Sequence, residues 1–422
     1  MNRVVEVLKA LEKSELQKSY RLMEEIQLNG DPEEKFDLAD HLFQLGFLEQ
    51  AKELYLDLLD EFPEEGELKV RMAEVFIEMD DIENALLILE NIREEDPVFG
   101  ECLLLQADLY QLQGLWEVSE QKLLKAEKAF PNEVVIQFAL GELYASLGRF
   151  AQAIRYYETV LYQQEEIAGV NLNERLAETY SAAGEFEKAL TYYEKINNLR
   201  LDINTLFGYG FTAYNAGYWR TAIEKFQEVI TLDPEYQSVY LLLAKSFEHE
   251  NDLENSIKTV KEGLKVNDFQ KELYMYGGKI SLKLQEKERA EQFLREALVV
   301  DPFYVDAMIT LNKILLNDEK YDEVIEITEP AIKEGEEDPE LLWDLAVSCQ
   351  QVERYSDALN YYQHAYNFLK ENEQFLQSYG EFLLEEGKRG EAIEIFKQLV
   401  KMDPGNVDYT NTLEHLTTDD DR

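Results

Sequence analysis

Four histidines, two cysteines and one glycine-rich stretch are the residues of this sequence that chemistry would use first. His41, His249, His364 and His415 are scattered, and none stands in an HExxH or HxH arrangement, so they do not form the ligand set of a zinc hydrolase. Cys102 and Cys349 form no CxxC pair and read as small buried apolar residues in a reducing compartment. The stretch FGYGFTAYNAG, 207–217, carries the GxG of a phosphate-cradling loop, but it lacks the third glycine and follows no strand. It reads as a place where helices meet on small side chains. Paired carboxylates, the tools of acid–base catalysis, recur throughout, and on amphipathic helices they form solvated faces. No nucleophile–base pair is visible. The chain is therefore expected not to be an enzyme and to hold no metal and no cofactor.

Charge narrows the partners. The 422 residues carry 41 Lys and Arg against 87 Asp and Glu, a net charge of −46. Such a surface repels nucleic-acid phosphates and anionic lipids, so neither nucleic acid nor membrane is an expected partner. Apolar residues make up 45% of the chain, enough for a packed interior despite the acidity. The first twenty residues have charges every few positions and no apolar core like that of a secretory signal, and no apolar run reaches eighteen residues. The expected location is cytoplasmic.

The elements that hold these residues declare themselves by repetition. Small residues followed four later by a bulky one stand at Ala51, Ala85, Ser119, Ala153, Ala189, Ala222, Ser256, Ala290, Val324, Ala358 and Ala392. All but two of the steps between them are 34 residues; the exceptions are 36 and 33. Twelve residues earlier runs a second small series: Ala39, Ala73, Ala107, Gly141, Ala177, Gly210, Ala244, Gly278, Asn312, Ala346 and Gly380. Apolar residues within each unit recur at three and four, the helical spacing. Gly46, Gly114, Gly148, Gly184, Gly217 and Gly387 end a first helix, and Pro after a second run ends the second, as in Asp233-Pro234, Asp301-Pro302 and Asp403-Pro404. Each unit is thus an antiparallel helix pair that cannot bury its apolar face alone, and stacking supplies the core.

With these spacings the chain resembles the tetratricopeptide repeat family, most closely in QFALGELYASLGRFAQAIRYYETV, from Leu140 through Gly141, Tyr144, Gly148 and Ala153 to Tyr157. The resemblance implies an all-α, right-handed superhelical solenoid of about eleven repeats. The expected division is a capping helix pair in 1–31, a first array in 32–168, a second in 169–406, and a closing helix with an acidic tail in 407–422. The 36-residue step and the missing Pro residues mark Tyr162–Asn171 as a joint more mobile than the other turns. The ninth repeat, with Asn312, Val324 and Thr328 at its packing positions, is expected to pack loosely.

In the family the first helix of each pair lines a partner-binding groove. Three residues before the first small residue, an apolar column reads Phe36, Val70, Leu104, Phe138, then Phe207, Leu241, Met275, Ile309 and Trp343, broken by Glu174. Directly after the small residue, a charged column reads Asp40, Glu74, Asp108, Glu142 and Glu178, then Phe211, then Lys245, Lys279 and Lys313, and last Val347 and Glu381. The resemblance thus implies an adaptor that binds a protein or peptide segment bearing basic and apolar residues. The Asn and Arg partners of the family's chaperone-tail clamp are missing beside these lysines. The chain also resembles long, acidic repeat proteins of Gram-positive bacteria that serve as cytosolic adaptors in regulated proteolysis. The alternative is a regulatory protein that senses a peptide. Elemental analysis of untagged protein should find less than stoichiometric metal; a one-to-one content would refute the expectation that no metal is bound.

Overall fold

The computed structural model describes residues 3–196 and 201–418, and these form twenty-five helices and one two-stranded hairpin. Twelve helix pairs follow one another in sequence: one pair before the repeats (Arg3–Glu12 with Leu16–Asn29), then the eleven repeats, closed by the single helix Val407–Thr418. Residues 1–200 and 201–422 form two compact halves, with repeats one to five in the first and six to eleven in the second. The division expected at 168/169 falls inside the first half. The acidic tail, 419–422, lies outside the described residues.

Within a repeat the two helices meet where the small series faces the bulky one. Ala39, Ala51 and Tyr55 are fully buried together, and so are Ala153 and Tyr157. The approach is close enough to demand glycine: a Cβ on Gly141 would lie 2.6 Å from the Tyr157 ring, and one on Gly210 2.7 Å from Phe226. That contact also accounts for the glycine-rich stretch, which lies in the helix Ile203–Asn215 and its terminal turn. The ninth repeat corrects the expectation of loose packing. Asn312 and Thr328 are each 0% exposed and pair with one another, Asn312 Nδ2 donating to Thr328 Oγ1 at 2.9 Å. A larger residue on the first helix faces a smaller one on the second, so the volume is conserved and the polar groups satisfy each other.

Helix ends follow local chemistry. Asp31, Asp202, Asp338 and Asn372 cap first helices by accepting backbone N–H groups, with Pro32 and Pro339 at the opening turn. The Asp-Pro signature has a use as well: Asp96, Asp233, Asp301 and Asp403 each accept the amide two residues on and so hold the turn between repeats. Every first helix ends on a residue with positive φ, Gly in six repeats and Asp80, Asn251, Gln285, Glu319 or Glu353 in the other five. The chain then closes with an amide bonded to the carbonyl five residues back, as in Phe47 to Leu42 at 2.8 Å. Ser14 has the same conformation, so the first pair shares the turn geometry of the repeats.

The segment expected to be a joint is a hairpin. Glu166–Ile167 pairs antiparallel with Val170–Asn171, and Ile167, 6% exposed, enters the interior of the first half. This hairpin absorbs the two extra residues, and Asn171 caps the helix that follows. Cys102 and Cys349 are buried, which pushes both thiols up to about 11. Gln285→Gly and Glu353→Gly should each raise stability by about 1 kcal/mol, because a side chain at positive φ is strained. Gly141→Ala should lower it by roughly 1–3 kcal/mol through overpacking. Urea unfolding followed by circular dichroism reads both signs.

Candidate functional site

Two columns on the first helices, repeated in each half, are the candidate interaction face. In the first half Phe36, Leu104 and Phe138 stay partly exposed, whereas Val70, 1% exposed, belongs to the interior. Phe36 packs edge-on to Tyr55, and Phe138 leans on Tyr157, so these rings are held by the core beneath them.

The charged column of this half is not a row of free carboxylates. Asp40 accepts the Tyr55 hydroxyl, and Glu142 accepts the Tyr157 hydroxyl at 2.7 Å. Arg71 lies 3.9 Å from Asp40 and donates to Glu74 at 2.9 Å. Arg175 repeats the arrangement three repeats later, 3.2 Å from Glu142 and 3.0 Å from Glu178. Each guanidinium therefore spans two neighbouring first helices. Burial pushes the Glu178 carboxyl up against the pull of Arg175. Asp108 has no hydrogen bond or ion pair among the described residues. It is open to water yet crowded by the surrounding wall, and this desolvation raises its pKa. On the second-helix side of this half, Glu120 accepts from Tyr144 at 2.9 Å and from Arg149 at 3.0 Å, tying repeat three to repeat four.

In the second half Phe207, Leu241, Met275, Ile309 and Trp343 are partly exposed, and Phe211 is 41% exposed. Phe207 contacts Phe211, Phe226 and Tyr236, with centroids 5.1–6.4 Å apart. Lys245 and Lys279 stand over the Tyr276 ring at 6.0 and 5.9 Å. The Tyr276 hydroxyl donates to Glu248, which also binds Lys283. Lys313 pairs with Glu340 at 2.8 Å. The five consecutive acids of the column thus lie in the first half and the three lysines in the second, where Glu381 ends the column.

Relatives place this architecture. Models of YpiA-like tetratricopeptide repeats match residues 111–165 and, for the C-terminal repeats, 339–406; general tetratricopeptide models match 42–109 and 174–204. The chain is 41% identical over 414 residues to the TPR repeat-containing protein YpiA of Bacillus subtilis (strain 168), covering 98% of each. The chain belongs to the YpiA-like tetratricopeptide repeat family. Among solved structures it is similar to the C-terminal part of a TPR repeat-containing protein from Cytophaga hutchinsonii (14% identity, TM-score 0.44, 65% of this chain and 99% of that one). It is also similar to the Cut9–Hcn1 hetero-tetramer of the APC/C (13% identity, TM-score 0.37, 97% and 95%). Tetratricopeptide repeat proteins bind protein or peptide partners. Among the described residues no helix is long and apolar enough to cross a membrane.

Two features of this YpiA-like face escaped the sequence reading. The arginines were legible as an Arg three residues before a Glu, in Arg71–Glu74 and Arg175–Glu178, a spacing that puts both on one helical face. The other is Asp344, which accepts from the buried Asn312 at 3.1 Å. Burial pushes its carboxyl up to about 7, with the Asn312 hydrogen bond and Lys313 opposing and Glu340 and Asp338 adding to the rise.

The sign of the resulting linkage follows from proton counts. Between the usual carboxylate range and pH 7 the folded chain holds a proton at Asp344 that the unfolded chain has lost, so stability falls as pH rises through this window. Asp344→Asn keeps an acceptor for Asn312 and removes the charge. It should stabilise the protein at pH 8, on the order of 2 kcal/mol, and change little at pH 4. Urea unfolding at both pH values measures the difference, and an equal effect at the two would refute the assignment.

Proposed function

We propose that this chain is a non-catalytic adaptor that holds a segment of a partner protein against its first-helix faces. One observation carries the reading. Residues that pack the repeat are buried completely, yet the column three residues before the first small residue keeps Phe36, Leu104 and Phe138, and then Phe207, Leu241, Met275, Ile309 and Trp343, partly open to water. Apolar side chains in register on neighbouring helices, fixed from below and left open above, suit a partner's apolar side chains.

Charges beside that column give selectivity. Acidic groups of the first half favour Lys or Arg on the partner, while Lys245 and Lys279 of the second half stand over a ring, with no carboxylate paired to either ammonium among the described residues, and favour Asp or Glu. Each half would thus select its own stretch of the partner, basic and apolar against the first, acidic and apolar against the second. Service as an adaptor in regulated proteolysis is the use we assign: it requires holding a protein without altering it.

A photo-crosslinking amino acid placed at Leu104 or Phe211 should capture the same partner from native cytosol. The same group at Leu87, exposed on a second helix, should capture none of it. Equal capture from all three positions would refute the face as the binding surface.

A further inference from the structure

Which carboxylates of the first half stay available is decided by the residue three places upstream and by its counterpart on the next first helix. In repeats two and five that place holds Arg71 and Arg175, and each guanidinium serves the acid of its own helix and the acid of the helix before. In repeats three and four it holds Leu105 and Ala139. Asp108 therefore has no arginine behind it on its own helix (Phe99–Leu112) and none on the next first helix (Val134–Ser146). Its neighbours in the column, Glu74 and Glu142, already have guanidinium partners, so they do not compete for a further cation.

Given the segment-binding role proposed above, we infer that the face around Asp108 receives one arginine or lysine of the partner, flanked on the partner by apolar side chains that lie against Leu104 and Phe138. Charge complementarity selects this occupant. Asp108 is the one acid among the five of this half's column that the chain leaves without a cation, and its exposed carboxylate is open to one from a partner. Leu104 on the same helix and Phe138 on the next first helix, both partly exposed, offer contact to apolar residues but nothing to a second charge. The partner's cation thus fills the role that Arg71 and Arg175 fill within the chain.

The same register supplies the test. Ala139→Arg places on the next helix the guanidinium that Arg175 gives to Glu142, and it should neutralise Asp108 from within; Asp108→Asn removes the charge. A phage-displayed library of random dodecapeptides is selected on the immobilised full-length chain and on both variants, with circular dichroism to confirm their helix content. The wild type should enrich peptides with one Arg or Lys between apolar residues, and those peptides should bind either variant about tenfold or more weakly by fluorescence anisotropy. If Ala139→Arg does not fold, Asp108→Asn alone decides. Enrichment of peptides without a basic residue, or equal affinity for wild type and variants, would overturn the role of Asp108 and leave the segment-binding role standing. Enrichment of nothing above bare beads would overturn both.

Discussion

The structure depends on one shared volume in each repeat, the space between the small residue of the first helix and the bulky residue of the second. At Tyr157 and Phe226, where the second helix brings a ring, the first gives way to glycine, and opposite Tyr55 to alanine. Where the first helix brings Asn312, the second retreats to Thr328. In every repeat but the ninth the first helix brings alanine or glycine to this space, which lets the two backbones approach closely. A contact that recurs in this way lets similar turns recur and lets each first helix present the same face as its neighbour.

That regularity turns single residues into columns. A side chain next to the packing contact recurs at a fixed place one repeat later, so neighbours in the column can interact although 34 residues separate them. Arg71 and Arg175 use this, each reaching the acid on the preceding helix. Buried tyrosine hydroxyls use it too: Tyr55 and Tyr157 find their acceptors in Asp40 and Glu142 of the same column. A carboxylate in this column therefore satisfies a polar group of the core and faces outward as well, and removing it would act on stability and binding together.

Fold was legible because its determinants are volumes and breakers, and these are properties of residue types. The series at Ala51, Ala85 and their successors marks helix contacts without reference to any other part of the chain. Less was legible at the face. Reading down the charged column alone shows five acids in a row, but whether an acid is free depends on the residue three places upstream and on the first helix that follows. Those partners leave a trace in sequence, as with Arg71 and Arg175, only when the helical register is already known. The ninth repeat shows the same limit from the other side. Asn312 and Thr328 each look wrong for a packing position, and only their pairing shows that two departures cancel. The extra residues near Tyr162 were visible as a length and not as a shape, since a hairpin anchored by Ile167 depends on the wall that receives it.

The two kinds of cross-repeat tie in the first half have a mechanical consequence. Arg71 and Arg175 clip neighbouring first helices together at repeats one–two and four–five, whereas repeats three and four are joined on the opposite side, where Glu120 takes both Tyr144 and Arg149. With a polar tie on one face and, among the described residues, apolar packing alone on the other, the two faces of the junction between repeats three and four resist separation unequally. The less tied face is the one that carries Asp108, the one acid of the column's first five that has no cation.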